Sequence, residues 1–127
     1  MPQPQQQFST LGKPGSTDYA GLEVIDLKGS PLQLITFTSD EVTAVCPVTG
    51  QPDWYTVTIE LTVTERSIES KSLKLYLQSF KDEGIFCESL ASTICIDVAR
   101  LVKAFKTRVT VTQKSRGGIT LTASCYI

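Results

Sequence analysis

The chain has no histidine, one methionine and one tryptophan among its 127 residues. Without imidazole, the mixed Cys/His zinc sites are excluded, and any reactive thiol must find its proton partner elsewhere. Charge of either sign is also not in excess: 12 basic residues stand against 13 acidic ones, a formal net charge of -1. That balance gives no electrostatic footprint for duplex nucleic acid or an anionic membrane, so a small molecule or another protein is the expected partner. No apolar run approaches the ~18 residues of a membrane span, and the opening MPQPQQQFSTLGKPGSTDY lacks the basic-then-apolar order of a signal peptide. A cytoplasmic location is expected. Cys46, Cys87, Cys95 and Cys125 form no CxxC pair; they read as thiols of a reducing compartment, and no metal is expected. No GxGxxG follows a strand, which removes a Rossmann site.

At this length one domain is expected. Residues 1–20, rich in Gln, Pro, Gly and Ser, read as a flexible N-terminal arm, with the domain spanning 21–127. Leu32, Leu34 and Phe37 suggest a first strand ending at the polar Ser39-Asp40. Tyr55, Val57, Ile59, Leu61 and Val63 alternate with polar residues, a sustained period of two that defines a second strand. The segment ESKSLKLYLQSF, residues 69–80, is ambiguous because Leu73, Leu75 and Leu77 also alternate. Leu73, Leu77 and Phe80 at i, i+4, i+7 favour a helix, which Ser70 or Ser72 can cap. Leu90, Ile94, Val98, Leu101 and Phe105 form the stripe of a second helix. Val109 and Val111 begin a third strand, Ser115-Arg116-Gly117-Gly118 turns the chain, and Ile119, Leu121, Ala123 and Cys125 form a fourth. The fold class is therefore α+β: an antiparallel four-stranded sheet with two helices between strands 2 and 3. Such a sheet leaves a Thr-rich face and two edges bare, so neighbouring subunits are expected to cover them.

Chemistry concentrates in CPVTGQPDW, residues 46–54. Cys46 and Asp53 have a plain explanation as a small buried hydrophobe and a strand-opening carboxylate. The sharper reading is a thiol nucleophile in a turn stiffened by Pro47 and Pro52, facing an acid that protonates what the thiol attacks. Ionised Asp53 can take the thiol proton and return it to substrate; two adjacent anions repel, so the pair is read as a dyad sharing one proton. In ESKSLK, Lys71 and Lys74 are either solvated lysines or, at i, i+3 beside the free amides of a helix N-terminus, the holders of a phosphorylated cofactor. Glu88, where the second helix begins, either satisfies the helix dipole or accepts two hydrogen bonds from a guanine-type base.

Together CPVTGQPDW, ESKSLKLYLQSF, the FCE position and RGGI resemble the QueF-type nitrile reductases, NADPH-dependent enzymes acting on 7-cyano-7-deazaguanine in the tRNA queuosine pathway; the likeness covers roughly residues 32–125. The resemblance implies the tunnelling fold, a homo-oligomeric barrel of stacked rings, possibly a decamer, with sites at subunit interfaces. It implies a four-electron reduction of a nitrile to an amine by two NADPH, without metal. Cys46 forms a covalent thioimide and Asp53 supplies the proton to nitrogen; Glu88 binds the base edge, while Ile68, Glu69 and Ser70 complete the pocket from an adjoining subunit. Lys71, Ser72 and Lys74 match the segment linked to NADPH. The family typically carries His-Glu where this chain has Cys87-Glu88. Cys87 is smaller than imidazole, a weaker donor and oxidisable, and it can pair with Cys46 if their Cα atoms lie within ~7 Å. Two other readings remain: a relative that adds ammonia to a nitrile carried on tRNA, and a non-catalytic deazapurine-binding member.

Overall fold

A computed structural model describes residues 21–127; the arm expected at 1–20 lies outside the described residues. Strand β1 (Val24–Asp26) is followed by β2 (Gln33–Val45), β3 (Pro52–Val63) and β4 (Arg66–Ile68). Helices α1 (Ser70–Gln78) and α2 (Cys87–Val102) come next, then β5 (Lys106–Arg116) and β6 (Ile119–Tyr126). The main sheet runs β2-β3-β5-β6, antiparallel throughout, while β1 and β4 pair separately as a two-stranded ribbon. Order and sheet agree with the sequence reading. The ribbon is an addition to it, because three-residue strands are too short to show a period.

The period-two signal of β3 is physical. Tyr55, Val57, Ile59, Leu61 and Val63 turn inward and are buried, meeting Val109 and Val111 of β5 and the α2 stripe Leu90, Ile94 and Val98. Full burial of each such aliphatic chain contributes roughly 1.5–3 kcal/mol, so this layer dominates the core. The outer face carries Thr56, Thr58, Thr110 and Thr112, with hydroxyl pairs Thr110–Ser124 and Thr112–Thr122 at 3.1 Å.

Three expectations are corrected. The first strand does not stop at Ser39-Asp40; it continues to Val45 through a bulge between Ser39 and Val42. An extra residue re-aims the side chains, which is why a polar pair interrupts the alternation without ending the strand. Phe105 is not on the helical stripe: α2 ends at Val102, Lys103 takes a left-handed conformation with φ 55°, and Phe105 is 70% exposed. Cys95 and Val102 fill the buried face instead. Finally, α1 is capped by Glu69, whose carboxylate accepts the amides of Lys71 and Ser72, each at 2.7 Å. Leu73, Leu75 and Leu77 alternate yet belong to a helix because all three are buried, α1 being covered on more than one side. Among the described residues no helix is long and apolar enough to cross a membrane.

Candidate active site

The β2–β3 connection is a single helical turn. The Gly50 amide donates to the Cys46 carbonyl at 2.9 Å, and the Cys46 amide donates to the Gln51 carbonyl at 2.8 Å. Pro47 occupies the first position of this turn, where its fixed φ fits and its missing N–H costs nothing. Cys46 therefore stands where a helix N-cap would, its sulfur facing amides that a helix leaves unpaired. Gly50, at φ 72°, closes the turn in the left-handed region that other residues rarely adopt. Hydrogen bonds from the Thr49 side chain, then from the Thr49 and Val48 amides, lower the Cys46 thiol to about 7. The Thr49 hydroxyl oxygen itself accepts the Gln51 amide at 3.3 Å, so its proton is oriented outward to the sulfur. A thiol in this position is about half ionised at neutral pH.

Asp53 opens β3 with only 4% of its surface exposed, and Arg116 Nη1 donates to its Oδ1 at 2.7 Å. Arg116 also hydrogen-bonds Cys46, and its guanidinium adds to the lowering of the thiol. The repulsion expected between two adjacent anions is thus offset by a cation between them. The register Tyr55↔Gln113 carries the end of β5 alongside Asp53, and a shift between Gln113 and Arg116 precedes the left-handed Gly117-Gly118 turn.

Helix α2 reaches the same place through a short parallel contact. The Val45 amide donates to the Glu83 carbonyl at 2.8 Å and the Ile85 amide to the Val45 carbonyl at 3.1 Å, which sets Phe86 and Cys87 beside the hairpin. Cys87 is buried, its Sγ donates to the Val111 carbonyl at 3.5 Å, and burial followed by the Glu88 charge raises its thiol. All four cysteines are free thiols, so Cys46 and Cys87 are not bridged. Glu88 is exposed in the first turn of α2.

Of the residues singled out in the sequence, Cys46, Asp53, Cys87 and Glu88 form one neighbourhood. Ile68, Glu69, Ser70, Lys71, Ser72 and Lys74 form another, at the β4–α1 junction. Ser70 and Lys74 line a groove of about 260 Å³ with Phe37, Val42, Val57 and Ile59. Val57 and Ile59 lie four and six residues beyond Asp53 on β3, which is about 13–20 Å by strand rise. Ile68 is buried, both carboxylate oxygens of Glu69 are occupied by the cap, and the Ser72 hydroxyl donates to the Glu69 carbonyl at 2.8 Å. The free amides expected for a phosphate at this helix start are therefore taken by Glu69. A phosphate here is left with side chains: Lys74, Ser70 and Lys71. Three residues of the first neighbourhood escaped the sequence reading: Arg116, Thr49 and Tyr55. Arg116 lies in the quoted RGGI, and its basic charge was the available signal, but only the β3–β5 register shows that it faces Asp53.

A hairpin-borne thiol of depressed pKa lies beside a buried ion-paired carboxylate, on an antiparallel α+β sheet backed by two helices: the class is a single-sheet α+β protein with a thiol–carboxylate site. The comparisons agree with that class. Residues 52–126 match the family described as QueF-like protein. The chain is 42% identical to an NADPH-dependent 7-cyano-7-deazaguanine reductase of Frankia casuarinae over 117 residues, 92% of this chain and 93% of the relative. It is 45% identical to an Anaeromyxobacter protein of the same name over 85 residues, 67% of this chain and 70% of the relative. The crystal structure of an archaeosine synthase QueF-Like in the apo form shares the fold with a TM-score of 0.70 at 22% identity, covering 76% of this chain and 94% of that one. This chain belongs to the QueF-like family.

Proposed function

We propose that the protein reduces the nitrile of 7-cyano-7-deazaguanine to the aminomethyl group with NADPH, in queuosine biosynthesis. The observation that carries the reading is the Cys46 thiol, lowered to about 7 and joined to Asp53 through Arg116. The Cys46 sulfur adds to the nitrile carbon: one C–S bond forms, one π bond of C≡N breaks, and the thiol proton passes by way of Asp53 to nitrogen, giving the thioimide. Two NADPH molecules bound one after the other would each supply one hydride to the former nitrile carbon. Two protons from solvent complete the balance, one on nitrogen after the first hydride and one on the released Cys46 thiolate. Between the two hydrides the C–S bond breaks, returning the electron pair to Cys46. Arg116 holds the Asp53 carboxylate oriented at the start of this sequence. Glu88, exposed beside Cys87, accepts the donor edge of the base, and Cys87 lines the pocket.

Lys71 and Lys74 hold the cofactor, and a groove carrying Lys74 and Ser70 suits its phosphates; Ser72, fully buried with its amide and hydroxyl both engaged, does not reach it and serves the helix start instead. Because the β4–α1 junction lies away from Cys46 within one chain, its exposed Ser70 and backbone complete the substrate pocket of an adjoining protomer, with Ile68 and the Glu69 cap holding the junction in shape. Strand edges β2 and β6 support such assembly: both are outer strands, and Leu34 on β2 is 69% exposed. The ring so formed is a homo-oligomer of single-domain protomers, working in the cytoplasm with its thiols reduced.

The test is intact-protein mass after adding 7-cyano-7-deazaguanine, with NADPH consumption followed in parallel. A mass gain equal to the nitrile, absent in Cys46→Ala, together with NADPH loss, is expected. An unmodified protein that consumes no NADPH defeats the reading. Amidine product formed from ammonia without NADPH transfers the chain to the tRNA-directed alternative, and binding without an adduct makes it a non-catalytic member. Sedimentation of a lone monomer at working concentration removes the shared pocket.

A further inference from the structure

Tyr55 has no exposed surface, and its hydroxyl oxygen is buried without a hydrogen-bond partner. A buried donor left unpaired is destabilising, and in native proteins such groups mark places that something else completes. Tyr55 stands two residues beyond Asp53 on β3, so both side chains project to the helix-covered face. Its neighbours across the sheet are Val42 of β2 and Gln113 of β5. Cys87 lies against the same part of β5 through the Val111 carbonyl. The titratable and charged groups facing this point are Asp53 on its own strand, Cys46 in the loop after β2, Cys87 and Glu88 at the head of α2, and Arg116 at the end of β5. Burial first, and then the Asp53 charge, raise the Tyr55 phenol. It therefore keeps its proton and is able to donate.

Of the groups whose charge acts on Tyr55, Asp53 is the strongest acceptor. A carboxylate offers about four lone-pair positions, and Arg116 engages Oδ1 alone, whereas a thiol sulfur accepts weakly. Hydrogen bonds of a catalytic site are often long before ligand arrives and shorten in the complex. We propose that Tyr55 is a positioning residue of this active site, its hydroxyl donating to the Asp53 carboxylate once substrate is bound and so fixing the group that carries the proton from Cys46 to the nitrile nitrogen. This rests on the nitrile reductase reading above. Tyr55 acts through Asp53 and does not itself touch substrate.

Tyr55→Phe removes one oxygen and leaves the ring in place. With 7-cyano-7-deazaguanine and NADPH, kcat is expected to fall by about tenfold or more while KM stays within about threefold. Losing a donor to the ionised carboxylate disfavours that ion in the substrate complex, so the acid limb of the kcat profile, which reports that complex, moves to higher pH. The thermal midpoint is expected to be unchanged or higher, since an orphan hydroxyl has been removed. A wild-type rate and pH profile overturns the inference. So does a lowered midpoint with activity lost in proportion and the profile unmoved, because that marks the hydroxyl as structural. If the unaltered protein forms no adduct and consumes no NADPH, the functional reading fails and this inference with it. Wild-type turnover alongside an equally active Tyr55→Phe overturns this inference alone.

Discussion

The Cys46 turn makes a prediction that needs no substrate. The Thr49 side chain is the largest single cause of the lowered thiol, ahead of the Thr49 and Val48 amides and of Arg116. Thr49→Val keeps the shape and the amides but removes the hydroxyl, so the thiol returns only part of the way from about 7 toward its ordinary 9.0. If it rises by about one unit, the thiolate fraction at pH 7 drops from about one half to about one tenth. A more basic thiolate is also a better nucleophile, by roughly threefold per unit. The two effects nearly cancel at pH 7, where alkylation by iodoacetamide slows only about twofold. Above about pH 10, where both proteins are fully ionised, the variant is the faster one. The decisive quantity is therefore the inflection of the alkylation rate against pH, near 7 in the wild type and higher in Thr49→Val, with the two curves crossing. Cys46→Ala supplies the background from the other thiols. An inflection unmoved by the substitution would refute the role given to the hydroxyl, and a wild-type inflection near 9 would refute the helical-turn account altogether.

Arg116→Gln removes the cation from a carboxylate that is 4% exposed, while the arginine side chain is 40% exposed. Leaving a buried carboxylate without its cation is destabilising, although solvent around the guanidinium makes the loss smaller than for a fully buried pair. The urea midpoint should fall accordingly, and the Cys46 alkylation inflection should rise slightly; an unchanged midpoint contradicts the pairing. Glu69→Ala deletes the only side-chain cap of α1, a loss of about 1–2 kcal/mol. Should Glu69 act on substrate and not on the helix, the variant would lose activity with no change in unfolding midpoint.

How much of this was legible in the sequence depends on the range of the interaction. The order strand, strand, helix, helix, strand, strand came from local periods, and β3 and α2 have these because one face of each is buried against the other. Cys46 and Asp53 were legible because a hairpin turn brings together residues near in sequence. Arg116 was not, since it meets Asp53 across 63 positions through the β3–β5 register. The Glu69 cap was missed for a different reason: Ser is the favoured N-cap residue, and Ser70 and Ser72 both offered themselves. Glutamate caps this helix because its longer arm reaches two amides at once, at 2.7 Å each. The Phe105 error came from extending a helical period past a left-handed Lys103, a conformation that its sequence does not announce.

A site without imidazole must handle protons with groups whose ordinary pKa values lie well away from neutrality. The hairpin solves half of that by moving Cys46 to about 7 with neutral donors, which act at short range and add no net charge. Arg116 supplies the other half, a guanidinium that orients the buried Asp53 carboxylate and balances its charge. On the proposed mechanism, a proton passing between this thiol and this carboxylate changes little in a sum that one guanidinium balances. Cys87, raised by burial and the Glu88 charge, stays protonated and contributes no anion to upset that balance. The same reasoning limits what can replace it: an ionised side chain at position 87 adds a negative charge beside Asp53 and Cys46. Cys87→Asp should therefore push the Cys46 thiol back up, which the same alkylation profile would register as a higher inflection.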